Sequence, residues 1–257
     1  MKAISAVNVM DALPAPAAEI DLARLERTGH LVPAQTRSVL AEEFRYMKRS
    51  LLRNARRGDA PASRLPMIMV TSALPGEGKT FFSINLAMSM AAEIDTSVLL
   101  VDADVVRPDL MRRLGVDARR GLLDLLGDPA LDIGDLMLET NVPKLSILPA
   151  GTSTDIATEL LASDAMERLL ATLAARYPDH VVIFDAPPLL VTNEARVLAS
   201  RVGQVVLVVM ASRTPRSAVA QAFAAAESCP IVMSVLNKAA EPTAPLGYGY
   251  GYPAADH

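Results

Sequence analysis

The sequence predicts an α/β fold, a doubly wound and mostly parallel sheet with helices on both faces. Three observations predict it. Short runs rich in Val, Ile and Leu recur along the 257 residues, at 67–71, 97–101, 144–149, 180–184, 204–210 and 231–236. Helical patterns separate them, at 79–92, 158–176, 193–200 and 215–227. The runs are continuous rather than alternating, which is how a strand covered on both faces reads.

The elements follow in order. Residues 1–35 are rich in Ala and Pro, with no sustained period, and read as a mobile N-terminal tail in which 19–27 could form a short helix. From 36 to 57, Val39, Leu40, Phe44, Met47 and Leu51 fall three and four apart, which predicts an amphipathic helix. Gly58-Asp59-Ala60-Pro61 ends it. The alternating strands and helices then run to 238, so 36–238 is predicted as one domain. A mixed stretch between 102 and 143 includes a short helix at 121–126. Residues 239–257, rich in Pro, Gly and Tyr, read as a flexible C-terminal tail.

Composition narrows the class. Hydrophobic residues make up 51% and charged residues 21%, which is a folded rather than a disordered profile. A net charge of −4 argues against a dedicated nucleic-acid binder. The single cysteine, Cys229, excludes an internal disulfide framework and a Cys-cluster metal site, and reads as a small buried hydrophobe in a reducing compartment. The longest apolar run, 205–211, falls far short of the roughly 20 residues of a membrane span. Asp11, Pro14, Pro16 and Glu19 interrupt the opening stretch, so no secretory signal is expected. The expectation is a cytoplasmic protein that meets a membrane only through a partner.

The strongest signal is Ala73-Leu74-Pro75-Gly76-Glu77-Gly78-Lys79-Thr80, placed after a predicted strand and before a predicted helix. This is a phosphate loop in its required context, a Walker A pattern with Ala73 in place of the leading glycine. Glycines let successive backbone N–H groups turn toward one anion, and the helix N-terminus adds its positive end. Pro75, Gly76, Glu77, Gly78, Lys79, Thr80 and Phe81 are therefore predicted to bind nucleotide. ATP and Mg²⁺ are the expected cofactors, with Lys79 on the β- and γ-phosphates and the Thr80 hydroxyl on the metal.

Two acidic strand ends should lie beside this loop, because ligands of such sheets sit outside the carboxyl ends of the strands. One is Asp102-Ala103-Asp104, after 98–101; the other is Asp185, after 181–184. Asp185 and Asp102 are predicted metal ligands. Asp102 and Asp104, two apart on extended chain, would point the same way. One could serve the metal while the other takes a proton from an attacking hydroxyl, and spacing alone does not separate a base from a second ligand. Lys79, Asp104 and Asp102 are the candidate catalytic residues.

With 73–80, 98–104 plus Arg107-Pro108, and 181–185 together, the sequence resembles the bacterial tyrosine kinases of the exopolysaccharide-biosynthesis type. The resemblance runs from about 38 to 237 and includes Leu148-Pro149-Ala150-Gly151 followed by Glu159-Leu160-Leu161. It implies a phosphate-loop fold of the subclass shared with Min/Par ATPases. It also implies a protein tyrosine autokinase that regulates polysaccharide polymerisation and export, with Asp104 orienting or deprotonating the acceptor tyrosine. Such enzymes phosphorylate tyrosines of their own C-terminal tail between subunits. Here Tyr248, Tyr250 and Tyr252 stand in the last ten residues. The family's oligomerisation helix corresponds to Glu42, Arg45 and Lys48, with Lys48 in place of an arginine, and implies a homo-oligomer, of which a ring is one form. Related folds also use an asparagine at the position of Asn237 against adenine. Family members without membrane spans are activated by the cytoplasmic segment of a membrane polysaccharide chain-length (co-polymerase) protein, which would recruit this chain to the inner face of the membrane. Its docking would fall near the phosphate loop or 185–190.

Two alternatives share the motifs. A Min/Par-type ATPase switch would hydrolyse ATP to water; its characteristic loop lysine corresponds here to Leu74, which counts against it. A nucleotide-dependent adaptor of a polysaccharide export complex would need no phosphotransfer.

Overall fold

The computed structural model describes residues 17–34, 37–57 and 66–239. The elements are β1 (Ala17–Ala18), α1 (Leu22–Arg27), α2 (Val39–Arg57), β2 (Met67–Ser72), α3 (Lys79–Ala91), β3 (Ser97–Asp102), α4 (Leu110–Leu114) and α5 (Leu122–Gly127). There follow α6 (Ile133–Leu136), β4 (Leu138–Thr140), β5 (Leu145–Leu148), α7 (Ala157–Ala162), α8 (Asp164–Arg176), β6 (His180–Asp185), α9 (Asn193–Arg201), β7 (Gln204–Met210), α10 (Arg216–Ala225) and β8 (Ile231–Asn237).

One eight-stranded sheet has the order β1-β4-β5-β3-β6-β2-β7-β8. Every adjacent pair is parallel except β4 with β5. All six residues of β2 are buried. Their side chains alternate between two cores, as the period of a strand requires. Met67 and Met69 join Leu99, Val101, Val182 and Phe184 on one face. Ile68 and Val70 join Leu100, Ile183, Phe82 and Leu86 on the other. The uninterrupted apolar runs thus come from burial on both faces. Cys229 is buried, as expected. Among the described residues no helix is long and apolar enough to cross a membrane.

Three features depart from the sequence reading. Residues 17–34, expected within a mobile tail, pack against the domain: β1 adds to β4, and Ile20 and Leu25 are buried. This segment is too short for a periodic signal, and long-range partners hold it. Asn141 Oδ1 accepts from Ile20 N at 2.9 Å, and Asp21 N donates to the Leu114 carbonyl at 2.9 Å. The long helix expected at 158–176 is two helices. Ser163 leaves helical geometry (ψ 168°) and its hydroxyl accepts from Ala165 N, capping α8. The strand β4 was not anticipated; its three residues carry no readable period. The tail beyond 239, with Tyr248, Tyr250 and Tyr252, lies outside the described residues.

Candidate nucleotide and phosphoryl-transfer site

The loop between β2 and α3 turns through two left-handed glycines, Gly76 at φ +81° and Gly78 at φ +104°. Both conformations favour a residue without Cβ. At Gly78 the approach is also close: a Cβ would lie 2.0 Å from Asn237 Nδ2. Asn237, last residue of β8, donates from Nδ2 to the Glu77 carbonyl at 2.8 Å, and its Oδ1 accepts from Lys238 N. Lys238 Nζ donates to the Gly76 carbonyl at 3.0 Å. In this structure, then, the Asn237 side chain fastens the phosphate loop, a role the expected adenine contact had not included.

The Glu77 side chain is 3% exposed and also closes on the loop. Its Oε2 accepts from Leu74 N at 2.7 Å, and its Oε1 accepts from the Thr214 hydroxyl. Thr214 follows β7 and had no signal in the sequence, since nothing in a lone threonine announces a partner 137 positions away. Gly76, Gly78, Lys79, Thr80 and Phe81 line a cleft of about 820 Å³, whose other walls include Asp104, Arg107 and Asn237.

Asp102 and Asp185 lie directly opposite one another at the ends of neighbouring parallel strands, β3 and β6. Both are buried. Asp185 Oδ1 accepts from the Ser83 hydroxyl at 3.0 Å, and Asp102 Oδ2 accepts from Leu110 N at 3.3 Å. Ser83 escaped the sequence reading; it lies one helical turn after Lys79, on the buried side of α3. The remaining oxygens, Asp102 Oδ1 and Asp185 Oδ2, are buried with no hydrogen-bond partner among the described residues. Burial pushes the Asp185 carboxyl up to about 6, against the opposing pull of Lys79, Thr80 and Ser83. Burial, then the Asp185 charge, raises Asp102 well above the usual carboxylate range. Two adjacent buried carboxylates, each with an unsatisfied oxygen, are the chemistry of a site that expects a cation. Among the described residues no three acidic, His or Cys side chains form a self-sufficient metal cluster. Mg²⁺ suits such a site, because it is held by one or two carboxylates together with phosphates and water.

Asp104 reaches the cleft itself. Its Oδ2 accepts from Lys79 Nζ at 2.8 Å, and its Oδ1 from Arg107 N at 3.3 Å. The structure thus brings together Lys79, Thr80, Asp104 and the phosphate loop, with Asp102 and Asp185 buried at the adjoining strand ends.

The proposed oligomerisation residues do not form one exposed stripe. Glu42 and Arg45 pair along α2. Lys48 instead turns inward, 6% exposed, and its Nζ donates to the Ser89 carbonyl at 2.7 Å and pairs with Glu93 at 2.7 Å. A primary amine on a flexible stem reaches the C-terminal carbonyls of α3, where a cation is favoured.

Comparison with known proteins bears on this arrangement. The AAA-domain family matches residues 66–219. The tyrosine-protein kinase CpsD of Streptococcus agalactiae is 33% identical over 192 residues, covering 72% of this chain and 81% of CpsD. The succinoglycan biosynthesis transport protein ExoP of Rhizobium meliloti is 32% identical over 199 residues, covering 76% of this chain and 24% of ExoP. The chain likewise spans only 19–24% of the length of the first curated tyrosine-kinase relatives it matches. Among solved structures, the kinase domain of the Escherichia coli tyrosine kinase ETK superposes with a TM-score of 0.67 at 25% identity, covering 91% of this chain and 94% of that domain.

Proposed function

The chain belongs to the AAA-domain family and, within it, to the bacterial tyrosine kinases, and from that premise we propose that it is an ATP-dependent protein tyrosine autokinase that phosphorylates its own C-terminal tyrosines between subunits. The observation that carries the reading is the Lys79–Asp104 pair in the cleft, next to two buried carboxylates with unsatisfied oxygens.

The pair suggests a sequence of events. An arriving triphosphate competes with Asp104 for the Lys79 ammonium. Once Lys79 turns to the phosphates, Asp104 loses its cation and is free to accept a proton. The phenol oxygen of Tyr248, Tyr250 or Tyr252 from a neighbouring subunit then attacks the γ-phosphorus. The bond to the β–γ bridging oxygen breaks, ADP leaves, and the phenol proton passes to Asp104. Backbone N–H groups from Gly76 to Thr80 oppose the charge on the transferring group, so the work is mostly positioning and neutralisation. Thr80, Asp102 and Asp185 would hold Mg²⁺, which when bound neutralises charge on the phosphate oxygens.

The setting we propose is exopolysaccharide or capsule polymerisation and export, supported by the relationship to a succinoglycan transport protein. The partner would be the cytoplasmic segment of a membrane polysaccharide co-polymerase, which recruits the chain to the inner face of the membrane. Val106 and Val191, 55% and 58% exposed, both line the cleft and would offer such a segment apolar contact.

The test is incubation with Mg·ATP over a range of protein concentrations, followed by mass spectrometry, beside a Lys79→Ala control. Phosphate on Tyr248, Tyr250 or Tyr252 should grow with concentration and vanish in the control. Phosphate release with no phosphotyrosine, even with the partner segment added, would replace the kinase by an ATPase switch.

A further inference from the structure

The segment 17–32 is tied to two helices that carry cleft residues, α4 and α3. At one end Asp21 N donates to the Leu114 carbonyl of α4, the helix that carries Arg113. At the other, Leu31 N donates to Asn85 Oδ1 at 2.6 Å, and the same amide donates from Nδ2 to the Phe81 carbonyl at 2.8 Å. Asn85 is fully buried and relays the segment to the first turn of α3. Between these ties sits His30, 3% exposed, its ring centroid 4.8 Å from that of Phe81. Its Nδ1 lies 2.9 Å from the Thr28 hydroxyl, and its buried Nε2 has no partner among the described residues. Burial, then the nearby Arg113 guanidinium, holds its pKa below the ordinary histidine value, so the ring is neutral at physiological pH. Phe81 and Arg113 both line the cleft.

His30 is held through Nδ1 by the Thr28 hydroxyl, which leaves its ring face against Phe81. Its ring touches Phe81, the residue that follows Lys79-Thr80, and it lies within electrostatic reach of Arg113, which also lines the cleft. We propose that His30 is a positioning residue for the reaction, bracing Phe81 so that the cleft wall made by Phe81 and Arg113 is preset for the nucleotide. The inference rests on reading the cleft as the nucleotide site. It makes the segment 17–32 part of that site rather than a lead-in to the domain.

The test compares His30→Ala, His30→Gln and His30→Phe in the full chain. The probe is a fluorescent ATP analogue with Mg²⁺, and KM for ATP and kcat are measured alongside. His30→Ala and His30→Gln remove the ring and should weaken binding more than twofold and up to about tenfold, the ceiling set by the worth of one aromatic contact. KM should rise by the same factor with kcat unchanged. His30→Phe keeps a ring against Phe81 and should stay within twofold of the wild type. If His30→Ala does not fold, His30→Gln carries the comparison. Affinity within twofold of wild type for both ringless variants would overturn the proposal. So would equal weakening by all three, or a lower melting temperature with KM unmoved. Failure of the wild type to bind the analogue at all would instead overturn the nucleotide-site reading beneath it.

Discussion

Asp185→Asn should stabilise the nucleotide-free protein while abolishing its response to Mg·nucleotide. The carboxyl is fully buried and raised from its ordinary 3.8 to about 6, chiefly by burial. A net shift of that size makes ionising the carboxyl about 3 kcal/mol less favourable in the folded state than in the unfolded chain. The sign follows from proton binding. Between 3.8 and about 6 the folded state binds more protons than the unfolded state, so this group's contribution falls as pH rises through that window. Above about 6 the full penalty is present. Asparagine cannot ionise and keeps an Oδ1 for the Ser83 hydroxyl, but adds a buried amide N–H₂ that costs about 1–2 kcal/mol if unpaired. A net gain of about 1–2 kcal/mol at pH 7.5 is therefore expected. It should shrink toward zero or reverse near pH 4, with Asp102 relaxing in the same direction as its neighbour's charge disappears. Denaturant melts in EDTA at several pH values would measure this. Repeating them with Mg²⁺ and a non-hydrolysable ATP analogue should show stabilisation of the wild type only. A variant less stable than wild type at pH 7.5 in EDTA, or one still stabilised by Mg·nucleotide, would refute the reasoning.

Three further outcomes follow from particular contacts. Gly121→Ala should cost about 1–3 kcal/mol in a denaturant melt, because the new Cβ would lie 2.0 Å from the Pro149 carbonyl oxygen and 2.6 Å from its carbon, so backbone must move. Lys48→Met should lose about 1–2 kcal/mol by removing a cation from the C-terminal carbonyls of α3, while sedimentation shows an unchanged oligomeric state; a changed state with unchanged stability would return Lys48 to an interface. Thr214→Val should weaken nucleotide binding several-fold in titration calorimetry, about 1 kcal/mol for one lost hydrogen bond to a buried carboxylate that fastens the phosphate loop.

The Val/Ile/Leu runs of β2, β3, β6 and β7 were legible because each must be apolar on both faces, and their shortness and β-branched residues set them apart from a buried helix. Residues 73–80 were equally plain: two left-handed glycines, a lysine and a hydroxyl are what a backbone anion nest demands, wherever the rest of the chain goes. The acidic strand ends could be read from sequence for the same reason, since their chemistry is local to the strand, although the register that sets Asp102 opposite Asp185 is tertiary.

Partnerships across long separations were not legible. A chain of residue types does not say that Glu77 meets Thr214, that Asp185 takes the Ser83 hydroxyl, that Lys48 turns inward, or that His30 lies against Phe81. The sequence by itself determined the doubly wound sheet, the phosphate loop and the two acidic strand ends, because a strand period and an anion nest are properties of consecutive residues. Only the tertiary structure decided which carboxylate oxygens lack a partner among the described residues, that Lys79 pairs with Asp104, and that residues 17–32 pack against α3 and α4. Those depend on which side chains the packed core brings within a few ångströms of one another, and no local pattern encodes that.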